Sequence, residues 1–139
     1  MLCTGNSCRS QMAEGYLRFY SNGNLEIHSA GIKKEGINPY TLRVMEEDNI
    51  DMSSHQPRTI GDFQGQHFDY LLTICGEPSE KQLEYITFVQ QMHFSVPDPS
   101  LAKGTDQEIE AYFLKVREIV KKNMLKFLGR ALSENFEPA

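Results

Sequence analysis

The sequence is short of the features that mark several classes of protein. It has three cysteines, an odd number, and no basic N-terminal region followed by an apolar core. We therefore expect a reducing, cytoplasmic setting without a framework of structural disulfides. Apolar runs are only a few residues long, far below the roughly 20 residues of a membrane-spanning helix. With no repeat and no low-complexity segment, the chain is expected to form a single domain, residues 1–139.

Positive charge and metal-ligand spacing are also scarce. The formal net charge is −5, whereas nucleic-acid-binding domains usually carry a basic patch, so no nucleic-acid partner is expected. The basic residues between Lys115 and Lys126 alternate with apolar ones at helical spacing, which is typical of a solvated helix face. Zinc needs about four ligands, and the histidines lack ligand spacing, so no metal site is predicted. They are expected at the surface or hydrogen-bonded: His28, His55, His67 and His93.

What the chain does contain is an alternation of strand and helix patterns, which predicts an α/β fold with a parallel sheet covered by helices. Strands are predicted at 25–29, at 69–74 and within Thr87–Phe94, around residues 91–95. Only Met1 and Leu2 precede Cys3, whereas a full strand needs about five residues, so the first strand is expected to be truncated.

Three helices are predicted. The first covers about residues 11–20, where Met12, Tyr16, Phe19 and Tyr20 recur at helical spacing. The second begins with Asn38 as N-cap and Pro39 at its first position, with Leu42, Met45 and Val44 on its buried face. The third begins at a capping box, Thr105 and Glu108, and continues to about Leu132.

The segment CTGNSCRS, from Cys3 to Ser10, has the properties of an oxyanion-binding loop. A cysteine, five residues and an arginine can wrap around a tetrahedral anion with successive N–H groups pointing inward. The helix that begins near Ser10 directs its positive end to the same place, and Arg9 can hold two oxygens at once. The residues predicted to contact the anion are Thr4, Gly5, Asn6, Ser7, Cys8, Arg9 and Ser10.

The same positive field favours Cys3 as a nucleophile. A free thiol has a pKa near roughly 8.5, which a helix N-terminus and a cation can lower, so we expect a thiolate at neutral pH. The alternative is a buried structural cysteine beside a chance arginine. The bare C-x5-R spacing is common, but the full segment followed by a helix favours catalysis.

These residues carry a resemblance to a known family. The segment CTGNSCRSQMAE resembles the signature of the low-molecular-weight protein tyrosine phosphatase superfamily, which includes related arsenate reductases. The similarity covers nearly the whole chain. It implies a four-stranded parallel sheet flanked by helices and no bound cofactor. The further matching segments are Ser29-Ala30-Gly31, Gly36-Ile37-Asn38-Pro39, Ile50-Asp51, Ser54-His55, Cys75-Gly76 and Val96-Pro97-Asp98-Pro99.

Asp98 is the predicted acid. It stands between Pro97 and Pro99, which restrict the backbone and fix the direction of the carboxylate. A carboxylic acid can protonate an oxygen leaving group. A turn-forming Asp-Pro is the alternative, and the resemblance, which implies a general acid at this position, favours catalysis.

Two reactions share thiolate attack at this loop. A phosphatase hydrolyses the phospho-cysteine, whereas an arsenate reductase lets a second thiol attack the sulfur of the arseno-cysteine and release arsenite. Three features are more similar to the reductases than to the phosphatases: the Thr-Gly-Asn-Ser loop, Gln11 after Ser10, and the lack of an aromatic residue just after Pro99. Cys75 stands where similar reductases place a resolving cysteine, although a buried, inert role is the alternative.

One feature opposes a three-thiol relay, because Gln82 lies in the segment where thioredoxin-coupled reductases carry a third redox cysteine. The product disulfide is then Cys3–Cys75 or Cys3–Cys8, reduced by an external thiol: thioredoxin, glutaredoxin or a small thiol. Cys8 is predicted to be structural or protective.

The reductases can also hold a monovalent cation through groups like those of Asn6, Glu14 and Ser29. Arg58 replaces their further carboxylate, so no cation is expected. A non-catalytic oxyanion-binding protein remains a third hypothesis, against which the combination of Cys3, Arg9 and Asp98 argues.

Overall fold

The structure is a computed structural model that describes residues 1–3, 8–33, 35–74 and 80–135. Its strands are β1 (Leu2–Cys3), β2 (Ala30–Gly31), β3 (His67–Thr73) and β4 (Thr87–His93). Its helices are α1 (Arg9–Ser21), α2 (Pro39–Glu47), α3 (Glu80–Leu83) and α4 (Asp106–Asn135), with 3-10 turns at Ile60–Phe63 and Pro99–Leu101. Even the 30-residue α4, the longest of the described helices, lacks the apolar run that a membrane crossing requires.

The strands form one parallel sheet in the order β2-β1-β3-β4. β3 and β4 pair along their length, and both are of ordinary size. β1 pairs with β2 at Leu2↔Ala30 and Cys3↔Gly31, and with β3 at Leu2↔Thr73. The predicted α/β class with a parallel sheet flanked by helices is confirmed.

The core has two layers because side chains alternate between the faces of a strand. Leu72 and Ile74, which are two residues apart and so point to the same face, pack against α1, α2 and α4 in the larger layer. Leu71 points to the other face, where Ile60 and Phe63 of the first 3-10 turn cover it. The sheet is therefore enclosed on both faces, and β1 lies in its interior.

One predicted strand is misplaced, and another begins earlier than predicted. Residues 25–29 are not a strand. The residues that pair with β1 are Ala30 and Gly31. The last strand, Thr87–His93, lies within the predicted segment Thr87–Phe94 but begins before the predicted residues 91–95. It is an edge strand whose residues alternate between half-buried and exposed, and its polar residues obscured the pattern.

The start of α2 is confirmed. The side chain of Asn38 accepts a hydrogen bond from the backbone N–H of Tyr40 at 2.9 Å, and Pro39 is the first helical residue. Its buried face is only partly as predicted, since Val44 is fully buried but Leu42 is 39% exposed. Leu42 lies on the outer side because the face that meets the core is set by residues 41, 44 and 45.

α1 and α4 follow their predicted courses with shifted ends. α1 begins at Arg9, two residues before the predicted start, and Phe19 at its far end is 57% exposed. The capping box of α4 is confirmed: the N–H of Glu108 donates to Thr105 Oγ1 at 3.2 Å, and the N–H of Thr105 donates to Glu108 Oε1 at 3.4 Å.

Candidate active site

Cys3 lies at the carboxyl end of β1, between β2 and β3, and α1 begins six residues later. In a parallel α/β sheet this end is where ligands bind. The backbone of Cys3 is described through its pairing with Gly31. The predicted loop residues Thr4, Gly5, Asn6 and Ser7, and the predicted resolving residue Cys75, lie outside the described residues.

The amino end of α1 is poorly neutralised by its own residues. Of the described residues there, the N-cap Cys8 makes no side-chain capping hydrogen bond, and the first turn holds no acidic residue. The first N–H groups of a helix lack intrahelical acceptors and carry a partial positive charge. Cys8 is buried at 4% exposure, and Ser10 is fully buried. This end of α1 is therefore suited to an anion.

Arg9 is held in place by the carbonyl of Val96. Its Nη1 donates to Val96 O at 2.9 Å, and the whole residue is only 8% exposed. Its Nη2 lies 3.6 Å from Asp98 Oδ2, which is an ion pair but longer than a hydrogen bond. A buried guanidinium needs charged or polar partners, and an oxyanion beside Nη2 would supply them.

Asp98 faces Arg9 with one oxygen only. Its Oδ1 accepts hydrogen bonds from the backbone N–H of Ser100 at 3.0 Å and from Ser100 Oγ at 2.7 Å. Pro99 then begins the 3-10 turn that supplies this N–H. These bonds turn Oδ2 toward Arg9, so a carboxylate and a guanidinium that are 89 residues apart in sequence meet.

A polar network lies in the buried face of α1 one turn further on. Glu14 Oε1 accepts a hydrogen bond from Ser29 Oγ at 2.9 Å, and Glu14 Oε2 lies 3.0 Å from His55 Nδ1. His55 Nδ1 is also 3.1 Å from Gln11 Oε1. Because both neighbours of Nδ1 are acceptors, this nitrogen carries the hydrogen. Arg18 Nε completes the network, 3.3 Å from Glu14 Oε2.

This network stabilises the ionised form of Glu14. Burial alone would raise the pKa of this carboxyl, but the hydrogen bond and charge of His55, the hydrogen bond of Ser29 and the charge of Arg18 together lower it to about 2. Glu14 is therefore a permanent carboxylate at neutral pH.

His55 was not among the residues predicted to lie at the site. The histidine was predicted to be at the surface or hydrogen-bonded, and its side chain is 4% exposed within the network. The sequence signal that could have located His55 was the pair Gln11 and Glu14, which lie three residues apart on one helix face. A buried polar pair of this kind needs hydrogen-bond partners from another segment.

Arg58 stands where the cation-binding reductases were expected to have a carboxylate. Its backbone carbonyl accepts a hydrogen bond from the N–H of Gly31 at 2.8 Å. Across residues 1–3, 8–33, 35–74 and 80–135, no three His, Cys, Asp or Glu side chains are grouped to hold a metal ion.

Comparison with known proteins gives a consistent set of relatives. The family model described as low molecular weight phosphotyrosine protein phosphatase matches residues 1–137. An arsenate reductase of Halalkalibacterium halodurans is 38% identical, and one of Bacillus subtilis is 36% identical, each over 91% of this chain and 91% of its own length. A solved arsenate reductase in a phosphate-binding state superposes with a TM-score of 0.74 at 26% identity, covering 93% of this chain and 94% of its own.

Proposed function

The chain belongs to the low molecular weight phosphotyrosine protein phosphatase family, and from this premise we propose that it is an arsenate reductase in which Cys3 attacks arsenate. The chain is similar over 91% of its length to relatives named arsenate reductase, which favours arsenate reduction over the other reaction of the family. The observation that carries the proposal is the meeting of Arg9 and Asp98, at 3.6 Å, beyond the end of the strand that bears Cys3.

In the first step the Cys3 thiolate attacks arsenic. Arg9 and the N–H groups at the start of α1 hold the arsenate oxygens and neutralise their charge. A sulfur–arsenic bond forms and an arsenic–oxygen bond breaks. Asp98 protonates the departing oxygen, which leaves as water.

In the second step a thiol attacks the sulfur of Cys3. The new disulfide forms as the sulfur–arsenic bond breaks, and its electron pair stays on arsenic, which is reduced from arsenate to arsenite. Cys75 is the proposed resolving thiol, with Cys8 as the second candidate. An external thiol, such as thioredoxin, glutaredoxin or a small thiol, then reduces the disulfide.

A second candidate function is hydrolysis of phosphate monoesters through a phospho-cysteine. The matching family model is named for this activity, and the same trio of Cys3, Arg9 and Asp98 would perform it. It differs in using water, rather than a thiol, to resolve the intermediate.

Intact-protein mass spectrometry with peptide mapping, before and after arsenate, tests the proposal. A loss of two hydrogens mapped to Cys3–Cys75 or Cys3–Cys8 is expected. An unchanged mass, even with added glutathione, together with hydrolysis of an aryl phosphate, would instead establish the phosphatase.

The Cys3→Ser variant is the matched control. It should lose turnover of both arsenate and aryl phosphate while still binding oxyanion, because the serine hydroxyl stays protonated and is a far weaker nucleophile. If this variant turned over substrate at the rate of the unmodified chain, Cys3 would not be the nucleophile.

A further inference from the structure

The carboxyl of Asp98 is held from one side by a single neighbour, Ser100. Oδ1 of Asp98 accepts two hydrogen bonds from this residue, one from its backbone N–H at 3.0 Å and one from its Oγ at 2.7 Å. A carboxylate oxygen has about two acceptor sites, so Ser100 fills those of Oδ1. The other oxygen, Oδ2, faces Arg9 Nη2 at 3.6 Å. The two oxygens of the predicted acid are therefore in different environments.

This difference decides which oxygen carries the proton of the acid. A proton on Oδ1 would turn that atom into a donor and compete with the hydrogens that Ser100 directs at it. A proton on Oδ2 leaves both hydrogen bonds from Ser100 in place, and a hydrogen bond that is lost costs free energy. The contacts of Ser100 therefore favour the form of Asp98 that is protonated on Oδ2.

Oδ2 is also the oxygen on the side of the proposed anion. Arg9 Nη1 is bonded to Val96 O at 2.9 Å, which places Nη2 toward Asp98. An oxyanion that accepts a hydrogen bond from Nη2 would therefore lie beside Oδ2. A proton on Oδ2 would be directed to an oxygen of the anion, as a general acid requires.

The turn after Asp98 fixes the position of Ser100 but not the rotation of the carboxyl. Leu101 N–H donates to Asp98 O at 3.4 Å, and Ala102 N–H donates to Pro99 O at 3.1 Å. Pro99 is buried, so the backbone of this turn is anchored to the fold. The Asp98 side chain is 31% exposed, so packing alone does not hold it in one orientation. Its orientation depends on the hydrogen bonds from Ser100.

We propose that Ser100 is a positioning residue for the acid step, because it holds Asp98 Oδ1 and so keeps the proton on Oδ2, beside Arg9 and the bound oxyanion. The inference rests on the proposed function. As the bond from arsenic or phosphorus to the departing oxygen breaks, the proton of Oδ2 moves to that oxygen. Asp98 is left as a carboxylate that keeps both hydrogen bonds from Ser100, which itself exchanges no proton.

Ser100→Ala tests this role, because it removes the hydroxyl and keeps the backbone N–H. The single-turnover rate with arsenate and kcat for phenyl phosphate should fall about three- to tenfold, as expected for one hydrogen bond. The loss should be smaller for 4-nitrophenyl phosphate, which needs less help from an acid. KM and the affinity for sulfate should stay within about twofold, because the hydroxyl is bonded to Asp98 and not to the anion. Ser100→Thr, which keeps a hydroxyl, should restore the rates.

Ser53→Ala is the matched control and should leave kcat unchanged. The N–H of Ser53 donates to Asp51 Oδ1 at 2.9 Å in the same Asp-x-Ser arrangement, at exposed positions. In an Asp98→Asn background, Ser100→Ala should cause no further loss, because Ser100 acts through the acid. Normal rates for Ser100→Ala, no rescue by Ser100→Thr, or an undiminished loss in the Asp98→Asn background would overturn the positioning role alone. A chain that binds sulfate but turns over neither arsenate nor aryl phosphates would overturn the proposed function, and this role with it.

Discussion

At the residue scale, the candidate site depends on how two side chains are fixed before any anion arrives. Val96 O anchors one nitrogen of Arg9, and Ser100 anchors one oxygen of Asp98. The remaining nitrogen and oxygen then face each other at 3.6 Å. Each side chain thus uses one of its terminal polar atoms for position, and another faces the partner side chain.

Arg9→Lys should weaken binding of phosphate or arsenate about 10- to 100-fold, since lysine cannot hold Val96 O and an oxyanion through one planar fork, and a charged hydrogen bond contributes roughly 1.5–3 kcal/mol. Isothermal calorimetry measures the loss. Arg43→Lys, at a surface ion pair with Asp106, is the control and should leave anion affinity unchanged. Equal affinities for all three proteins would contradict the role of Arg9.

Asp98→Asn should lower kcat for phenyl phosphate about 10²- to 10⁴-fold, because the amide cannot protonate the leaving oxygen. The loss should be smaller for 4-nitrophenyl phosphate, whose leaving group departs readily without a proton. Asp69→Asn, at an exposed position of β3, is the control and should leave kcat unchanged. The same loss for both substrates would mean that Asp98 has a structural role only.

At the scale of elements, the two long helices are begun by different means. α4 begins at the capping box of Thr105 and Glu108, in which side chains satisfy the first N–H groups. α1 begins at Cys8 without such a bond. Among the described residues, side chains of the capping box thus satisfy the start of α4, whereas the start of α1 leaves its partial positive charge facing the site.

Thr105→Ala should destabilise the protein by about 1 kcal/mol, the usual cost of removing an N-cap side chain. Urea unfolding at neutral pH measures the change. Ser133→Ala, at an exposed position near the other end of α4, should change the free energy of unfolding by less than about 0.5 kcal/mol. If both substitutions had the same small effect, the capping box would contribute little to stability.

At the scale of the whole molecule, Glu14 joins three segments that are distant in sequence. It binds Ser29 just before β2 and His55 after α2, and it is itself part of α1. Its charge therefore contributes to the packing of α1 on the rest of the fold. Because its pKa is lowered to about 2 from an ordinary 4.5, this stabilisation depends on pH.

The contribution of Glu14 should be fully present above pH 4.5 and should disappear as the pH falls toward 2, since the unfolded chain takes up the proton first. Urea unfolding from pH 7 to pH 3 measures this. Glu14→Gln should be less stable at pH 7 and should lose less stability on acidification. Glu46→Gln, exposed on α2, should retain the original pH dependence. Parallel pH profiles for all three proteins would refute the assignment.

The local patterns of the sequence predicted much of the fold. Asn38, Pro39 and the Thr105–Glu108 pair marked helix starts correctly, because capping depends on residues within one turn. The misplaced strand at 25–29, the bounds of the last strand and the exposure of Leu42 were all decided by the neighbour against which each segment packs. Periodicity carries no information about an edge strand's partner or the outer face of a helix.

By itself the sequence determined the class of fold and the segment that carries Cys3 and Arg9, because each follows from residue types at short spacing, and its family resemblance nominated Asp98. Only the tertiary structure decided that Asp98 Oδ2 faces Arg9 and that His55 is buried against Glu14. These features join residues separated by 41 to 89 positions in the chain. Contacts at that distance are set by the packing of whole elements, which no local pattern encodes.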